Sequence, residues 1–313
     1  MRPDDNGHTP VLLDEVMHAL SPRPDGFYVD CTFGRGGHSR AILEFLGADG
    51  RLLVFDQDPD AIRSAQELAS GDARVTCVHA SFTELESEVR RRGMTGQVDG
   101  VVLDCGVSSA QLETPGRGFS FQYDGELDMR MNPETGQSAA QWIAQAGQRE
   151  IERVLRHYGE EKFARRIANA IVKQRESAPI TRTLQLAEIV SAAVPTREPG
   201  KHPATRSFQA IRIHINDEVG ALSAVLPQIV RVLRPGGRMA VISFHSLEDR
   251  EVKRFLRKQA AGDDYPPEIP VTAAQLHPAL RIVGKAIRPS ERELERNRRA
   301  RSAVLRVGER LAA

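Results

Sequence analysis

The chain has little of what would mark a secreted, membrane-spanning or metal-built protein. Of its 313 residues only 3 are cysteine, Cys31, Cys77 and Cys105, an odd and widely spaced set. Each sits in an apolar run, which fits buried free thiols in a reducing compartment rather than disulfides or a metal cluster. No apolar run approaches the length that crosses a bilayer. Residues 1–10 are polar and acidic, unlike a signal peptide, so a cytoplasmic protein with no membrane partner is expected. His38, His202, His214 and His245 show no metal-ligand spacing, and no metal is expected. The motifs G-x-x-x-x-G-K-S/T and G-x-S-x-G are both missing, which removes P-loop hydrolases and serine hydrolases. A net charge of +1 points to no particular partner.

What is present is the composition of an ordinary globular chain, long enough for a main domain and a large insertion. The first third alternates apolar runs with amphipathic ones. Strands are predicted at 27–31, 52–55, 75–79 and 98–103, with helices at 39–46, 58–69 and 83–92. Continuously apolar strands separated by helices imply a parallel sheet covered on both faces, hence a doubly wound α/β fold. The rhythm stops after Ser109. Residues 112–137 are rich in Gly, Pro and Asp and read as an extended loop. Ser138 and Gln141 form a capping box that opens a helix. Between 160 and 174, Phe163, Ile167 and Ile171 share one face while Lys162, Arg166, Asn169 and Lys173 share another. A helix at 183–194, a linker at 195–203, one long helix at 207–233, a strand at 239–244 and a last strand at 303–307 complete the reading. The domains are therefore expected as 1–111 with 205–313, and an inserted helical domain, 112–204, for substrate recognition.

The glycine loop Gly34-Arg35-Gly36-Gly37-His38 joins the first strand to the first helix, where backbone can turn sharply and approach a ligand. Asp56 ends the second strand, 22 residues beyond Gly34, and can accept the ribose hydroxyls of a nucleoside. Asp58 is better placed than Asp56 to cap the following helix. Asp30, four residues before Gly34, would repel a pyrophosphate but suits a cofactor carrying an ammonium and a sulfonium. S-adenosylmethionine has that charge pattern and NAD does not. Phe82, after the third strand, offers a stacking face for adenine, and ordinary core is an equal alternative.

The fourth strand runs into Asp104-Cys105-Gly106-Val107-Ser108, the strand end that faces the transferred group in doubly wound methyltransferases. An amine on an aromatic ring has its lone pair delocalised into the ring, so its methylation needs an acceptor that draws on an N–H. Asp104 is the candidate for that acceptor. Equally, Asp104 binds the cofactor's ammonium and leaves the amine to Ser108 or a backbone carbonyl. Charge is also uneven: residues 281–310 hold ten Lys or Arg against four Glu, and 149–175 hold eight against four acids. Solvated helix faces account for such runs, and a nucleic-acid partner does so too.

The runs at 8–15, 32–39, 103–109, 117–121, 127–131, 202–206 and 243–250 resemble the MraW family, small-subunit ribosomal RNA methyltransferases. The likeness covers nearly the whole chain. It implies a Rossmann-like class I methyltransferase core with a helical insertion, S-adenosyl-L-methionine as cofactor, and 16S ribosomal RNA as partner, within the small subunit. The reaction implied is methylation of the exocyclic N4 of a decoding-region cytidine, cytidine 1402. Cofactor contacts carried over by the resemblance fall on Gly36, Gly37, His38, Asp56, Phe82, Asp104 and Gln111. A flipped base would stack on Phe119 or Phe121, and Arg130, Arg206, Arg298, Arg299 and Arg301 are candidate phosphate contacts. A catalytically silent RNA-binding protein and an NAD-dependent oxidoreductase are the rivals. Monomer and homodimer both remain open.

Overall fold

Apolar runs that are buried on both faces produce the central sheet of the computed structural model, which describes residues 10–196, 200, 202–263, 272 and 275–312. The N-terminal stretch before Pro10, with His8 and Thr9 of the first motif, lies outside the described residues, as do 197–199 and 201 of the linker. The strands are β1 (Phe27–Asp30), β2 (Arg51–Asp56), β3 (Val75–His79), β4 (Val98–Asp104), β5 (Leu233–Ser243), β6 (Leu280–Ile282) and β7 (Val304–Arg310). They pair in the order β3-β2-β1-β4-β5-β7-β6. The first five are parallel, while β7 runs antiparallel to β5 and β6 antiparallel to β7. Strand order reverses between β1 and β4, so the loops after these two strands flank the crevice where such sheets bind ligands. This is the doubly wound, Rossmann-like core expected from the sequence.

Alternation assigns the two faces. Tyr28, Leu52, Val54, Val102, Ala240 and Ile242 pack with residues of the helices Leu13–Leu20 and Gly37–Phe45. Phe27, Val29, Leu53, Phe55, Val101 and Leu103 pack with Leu85 and Val89 of the helix Leu85–Arg91 and with Leu222, Leu226 and Ile229. Burial of each such side chain stabilises the fold by about 1.5–3 kcal/mol.

The chain divides into two compact units, one running to Gly106 and resuming at Val219, the other Val107–Glu218. The second is helical, with its own core built from Trp142, Ile151, Leu155, Ile167, Ile171 and Phe208 among others. Ile167 and Ile171 are buried on the helix Ala164–Ser177, the face their spacing assigned to them. The Ser138–Gln141 capping box forms, with Ser138 Oγ accepting the Gln141 N–H at 3.2 Å and Gln141 Oε1 accepting the Ser138 N–H at 2.9 Å.

The long helix expected at 207–233 is two helices, Thr205–Asn216 and Glu218–Val232. They break at Asp217, whose φ of 47° is left-handed, a conformation that Asp tolerates better than most residues. A bidentate pair from Arg212 to Glu218, both bonds 2.8 Å, spans the break. The passage from helical unit to sheet unit falls there, not at 204. The helices Gln148–Gly159 and Ser246–Ala261 add to the elements expected from the sequence, the first burying Ile151, Val154 and Leu155 and the second Val252 and Leu256.

Candidate active site

Each of three neighbouring strands ends an apolar run with an aspartate. Tyr28, Val54 and Val102 lie on one face of the sheet, so Asp30, Asp56 and Asp104, each two residues further on, project to that same face. The register is direct, with Asp30 opposite Val54 on one side and Val102 on the other. Asp56 and Asp104 therefore flank Asp30, each two residues further along its strand.

Two of them brace the loops. Asp30, 1% exposed, accepts the Thr32 N–H at 3.0 Å and the Ser39 hydroxyl at 2.6 Å. Asp56 accepts the Gly34 N–H at 2.8 Å and the Asp58 N–H at 2.9 Å. Asp58 itself accepts the Asp60 N–H at 2.9 Å and caps the helix Pro59–Gly71, as expected. Burial raises Asp30 to about 6, against its bonds to Ser39 and Thr32. Burial likewise raises Asp56 to about 6, against the two loop amides.

Asp104 differs. Its N–H donates to Thr32 Oγ1 at 2.7 Å, but its Oδ1 is buried and takes no hydrogen bond among the described residues. Burial first, then the charges of Asp30 and Glu248, hold this carboxyl well above the usual range. Oδ2 lies 3.9 Å from His38 Nδ1. His38 Nε2 is 3.1 Å from Val11 O, which assigns the ring proton to Nε2 and leaves Nδ1 an acceptor. Burial lowers His38 to about 4, so the ring is neutral at pH 7. An ionised Asp104 and the bare His38 Nδ1 are both acceptors, and a group that brings protons satisfies both.

The glycine loop is tight for its own reasons. Gly36 has φ 77°, and a Cβ there would lie 2.6 Å from the Phe33 ring. A Cβ on Gly37 would lie 2.1 Å from the Pro10 ring. Gly34 carries its left-handed φ of 55° while donating to Asp56. Phe82 opens a one-turn helix after β3 and is partly buried against Leu85 and its neighbours.

The helical unit holds the other expected residues. Ser108 and Gln111 cap the helix Ser109–Glu113, with Ser108 Oγ accepting the Gln111 N–H at 3.3 Å and Gln111 Oε1 accepting the Ser108 N–H at 2.8 Å. Phe119 is 7% exposed inside that unit's core, so a base stacks on it only by displacing neighbours. Phe121 is partly exposed and meets Phe208 edge-on at 4.7 Å and His202 at 4.6 Å. Arg130 is committed to Asp128 by bonds of 2.9 and 2.6 Å. Arg206 is partly exposed, its Nη1 3.5 Å from Glu160 O. In the sheet unit, Arg298, Arg299 and Arg301 are all exposed on a 3-10 turn before β7.

The sequence reading assigned no role to His245 and Glu248, just after β5. Glu248 Oε2 accepts the Phe244 N–H at 2.8 Å, and His245 Nδ1 accepts the Glu248 N–H at 3.3 Å. The motif at 243–250 was the only signal for them.

A pH experiment tests the brace at Asp30. Its folded-state value lies above the unfolded one, so the neutral form stabilises the fold below about pH 4. That contribution is lost as pH rises through about 6. Asp30→Asn is therefore expected to gain on the wild type between pH 4 and 7, by roughly 3 kcal/mol for a two-unit shift. Thermal melts of the ligand-free proteins measure this, and a wild-type-to-variant difference flat with pH would refute it.

The sequence model of the MraW methylase family matches residues 5–311. The ribosomal RNA small subunit methyltransferase H of Thioalkalivibrio sulfidiphilus is 58% identical over 306 residues, covering 97% of this chain and 98% of that protein. The protein of the same name from Coxiella burnetii is 56% identical over 305 residues, covering 97% of this chain and 99% of its own length. With sheet unit and helical unit both inside the match, the chain belongs to the MraW methylase family.

Proposed function

We propose that the protein methylates the exocyclic N4 of a decoding-region cytidine in 16S ribosomal RNA, with S-adenosylmethionine as donor. The observation that carries this is Asp104 Oδ1, a buried acceptor with no hydrogen bond among the described residues, at the end of β4. The names of the relatives support small-subunit ribosomal RNA as the substrate.

The residues fit the cofactor. Three strand-end carboxylates, one of them facing a neutral imidazole, suit a cation and repel a pyrophosphate. Asp56 uses one lone pair of each oxygen on a loop amide, and each oxygen keeps another for a ribose hydroxyl. Asp104 Oδ2 and His38 Nδ1 can share an ammonium, and Phe82 offers a ring face to adenine. When bound, S-adenosylmethionine supplies a methyl group activated by its sulfonium.

The protein's own task is the amine. Asp104 Oδ1 accepts an N4–H of the cytosine, which turns the nitrogen lone pair out of conjugation with the ring, and the proton then has a carboxylate to leave to. Oδ1 itself is buried, which keeps water from competing for that hydrogen bond. No helix among the described residues is long and apolar enough to cross a membrane, and the proposed setting is the cytoplasm, where the small subunit is the partner. The helical unit, with Phe121 and Arg206, is proposed to recognise the RNA.

Nucleoside mass spectrometry of 16S ribosomal RNA from cells lacking the protein tests the reading. N4-methylated cytidine is expected to disappear from one position and to return with the wild-type gene. An unchanged methylation pattern would overturn it.

The exposed arginines give a second test. Replacing Arg298, Arg299 and Arg301 by alanine is expected to weaken RNA binding and to flatten its salt dependence by about 0.7–0.9 of a unit per lost phosphate contact. Cofactor affinity should not move. A salt slope equal to that of wild type would return the turn to a solvated surface.

A further inference from the structure

At the adjacent ends of β4 and β5, Asp104 Oδ1, Ser243 Oγ and His245 Nε2 are buried polar atoms that make no hydrogen bond to any described residue; of these, Asp104 Oδ1 and His245 Nε2 belong to ionisable side chains. The strands are parallel neighbours, Asp104 is in register with Ile242, and the Cys105 N–H donates to Ile242 O at 3.0 Å. The two atoms have opposite chemistry. An ionised Asp104 Oδ1 can only accept. His245 Nδ1 already accepts the Glu248 N–H, so the neutral ring carries its proton on Nε2, a donor. Glu248 Oε1 lies 3.2 Å from Nε2 without making a hydrogen bond to it. The Glu248 carboxylate also acts on Asp104, raising its hold on a proton.

Buried donors and acceptors are costly to leave unmade, and natural proteins leave few of them without a ligand to explain them. An acceptor and a donor at neighbouring strand ends are together the complement of an amino-bearing base edge. Cytosine presents an exocyclic amine that donates and, next to it, a ring N3 that accepts. Uracil presents the reverse, O4 accepting and N3–H donating. Resting on the function proposed above, we infer that His245 Nε2–H donates to N3 of the acceptor cytosine while Asp104 takes its amine, so that the pair selects cytosine over uracil. His245 is then a specificity-determining residue for the reaction, and its position as the helix N-cap holds the ring at a fixed angle.

The helix cap allows a clean variant. In His245→Asn the shorter side chain still caps the helix Ser246–Ala261, because asparagine is a strong N-cap, but the Nε2 donor is gone. The probe is an RNA fragment spanning the modified position, carrying cytidine or 3-deazacytidine, which lacks the N3 acceptor. Binding is read by fluorescence anisotropy with S-adenosylhomocysteine present, and methylation by single turnover. Wild type is expected to bind the 3-deazacytidine RNA about tenfold more weakly than the cytidine RNA, the scale of one base-edge contact. His245→Asn is expected to bind cytidine RNA about tenfold more weakly than wild type does, and to show no further loss with 3-deazacytidine. Cofactor affinity and melting temperature should match wild type. Equal binding of the two RNAs by wild type, or losses that simply multiply in the variant, would overturn the inference while leaving the methyltransferase reading intact. Failure of the wild type to methylate cytidine in both the RNA fragment and unmodified small subunits would overturn both.

Discussion

Asp56→Ala is expected to bind S-adenosylmethionine at least about tenfold more weakly than wild type in calorimetry. A hydrogen bond to a charged acceptor contributes roughly 1.5–3 kcal/mol, and 1.4 kcal/mol is a factor of ten. The lost partner belongs to the ribose, so adenosine alone should lose affinity by the same factor, although it has no methionine moiety. The structure adds a second consequence. Asp56 also accepts the Gly34 and Asp58 amides, and alanine leaves both without their acceptor. The melting temperature of the ligand-free variant separates this loosening of the glycine loop from loss of the ribose contact. The carboxylate must be ionised to accept from loop and ribose together, and its value of about 6 makes wild-type affinity fall as pH drops below about 6. Unchanged affinity for both ligands in a folded variant would remove Asp56 from the cofactor site.

The sheet was legible because a parallel strand covered on both faces has to be apolar throughout, so β1, β2 and β4 stand out as runs. Their terminal aspartates were legible for the converse reason, since an acid closing such a run is out of place unless something at the strand end uses it. Hydrogen-bond direction was not legible. Nothing in the string of letters says that His38 gives its proton to Val11 O and turns a bare Nδ1 toward Asp104. Periodicity also passes over a one-residue break, because Asp217 leaves the apolar spacing on both sides undisturbed while its backbone turns left-handed. Phe119 and Phe121 lie two residues apart in one motif, yet one is core and the other partly exposed. Only packing separates them. His245 and Glu248 read as an ordinary start to a charged helix, and their burial depends on where β5 delivers them.

Asp104→Asn is expected to slow single-turnover methylation by about a hundredfold or more, the usual scale for a positioned acid–base group, with little change in affinity for S-adenosylmethionine. The interaction it removes belongs mainly to the transition state, where the N4–H bond weakens toward the carboxylate. The fold should not suffer. In the ligand-free protein the Asp104 carboxyl is held well above the usual carboxylate range by burial and by the charges of Asp30 and Glu248. Its neutral form is the comfortable one, and asparagine imitates that form while offering an N–H toward His38 Nδ1. The ligand-free variant is therefore expected to melt higher than wild type, with the gap widening as pH rises and the wild-type carboxylate is forced to ionise. Higher stability with lower activity is the pattern of a residue kept for chemistry at the expense of the fold. A variant that loses cofactor affinity and keeps its rate at saturation would instead make Asp104 a ligand for the cofactor's ammonium, through the Oδ2 that faces His38. A variant normal in rate, affinity and melting would reduce Asp104 to a turn residue and hand the amine to Ser108 or a backbone carbonyl.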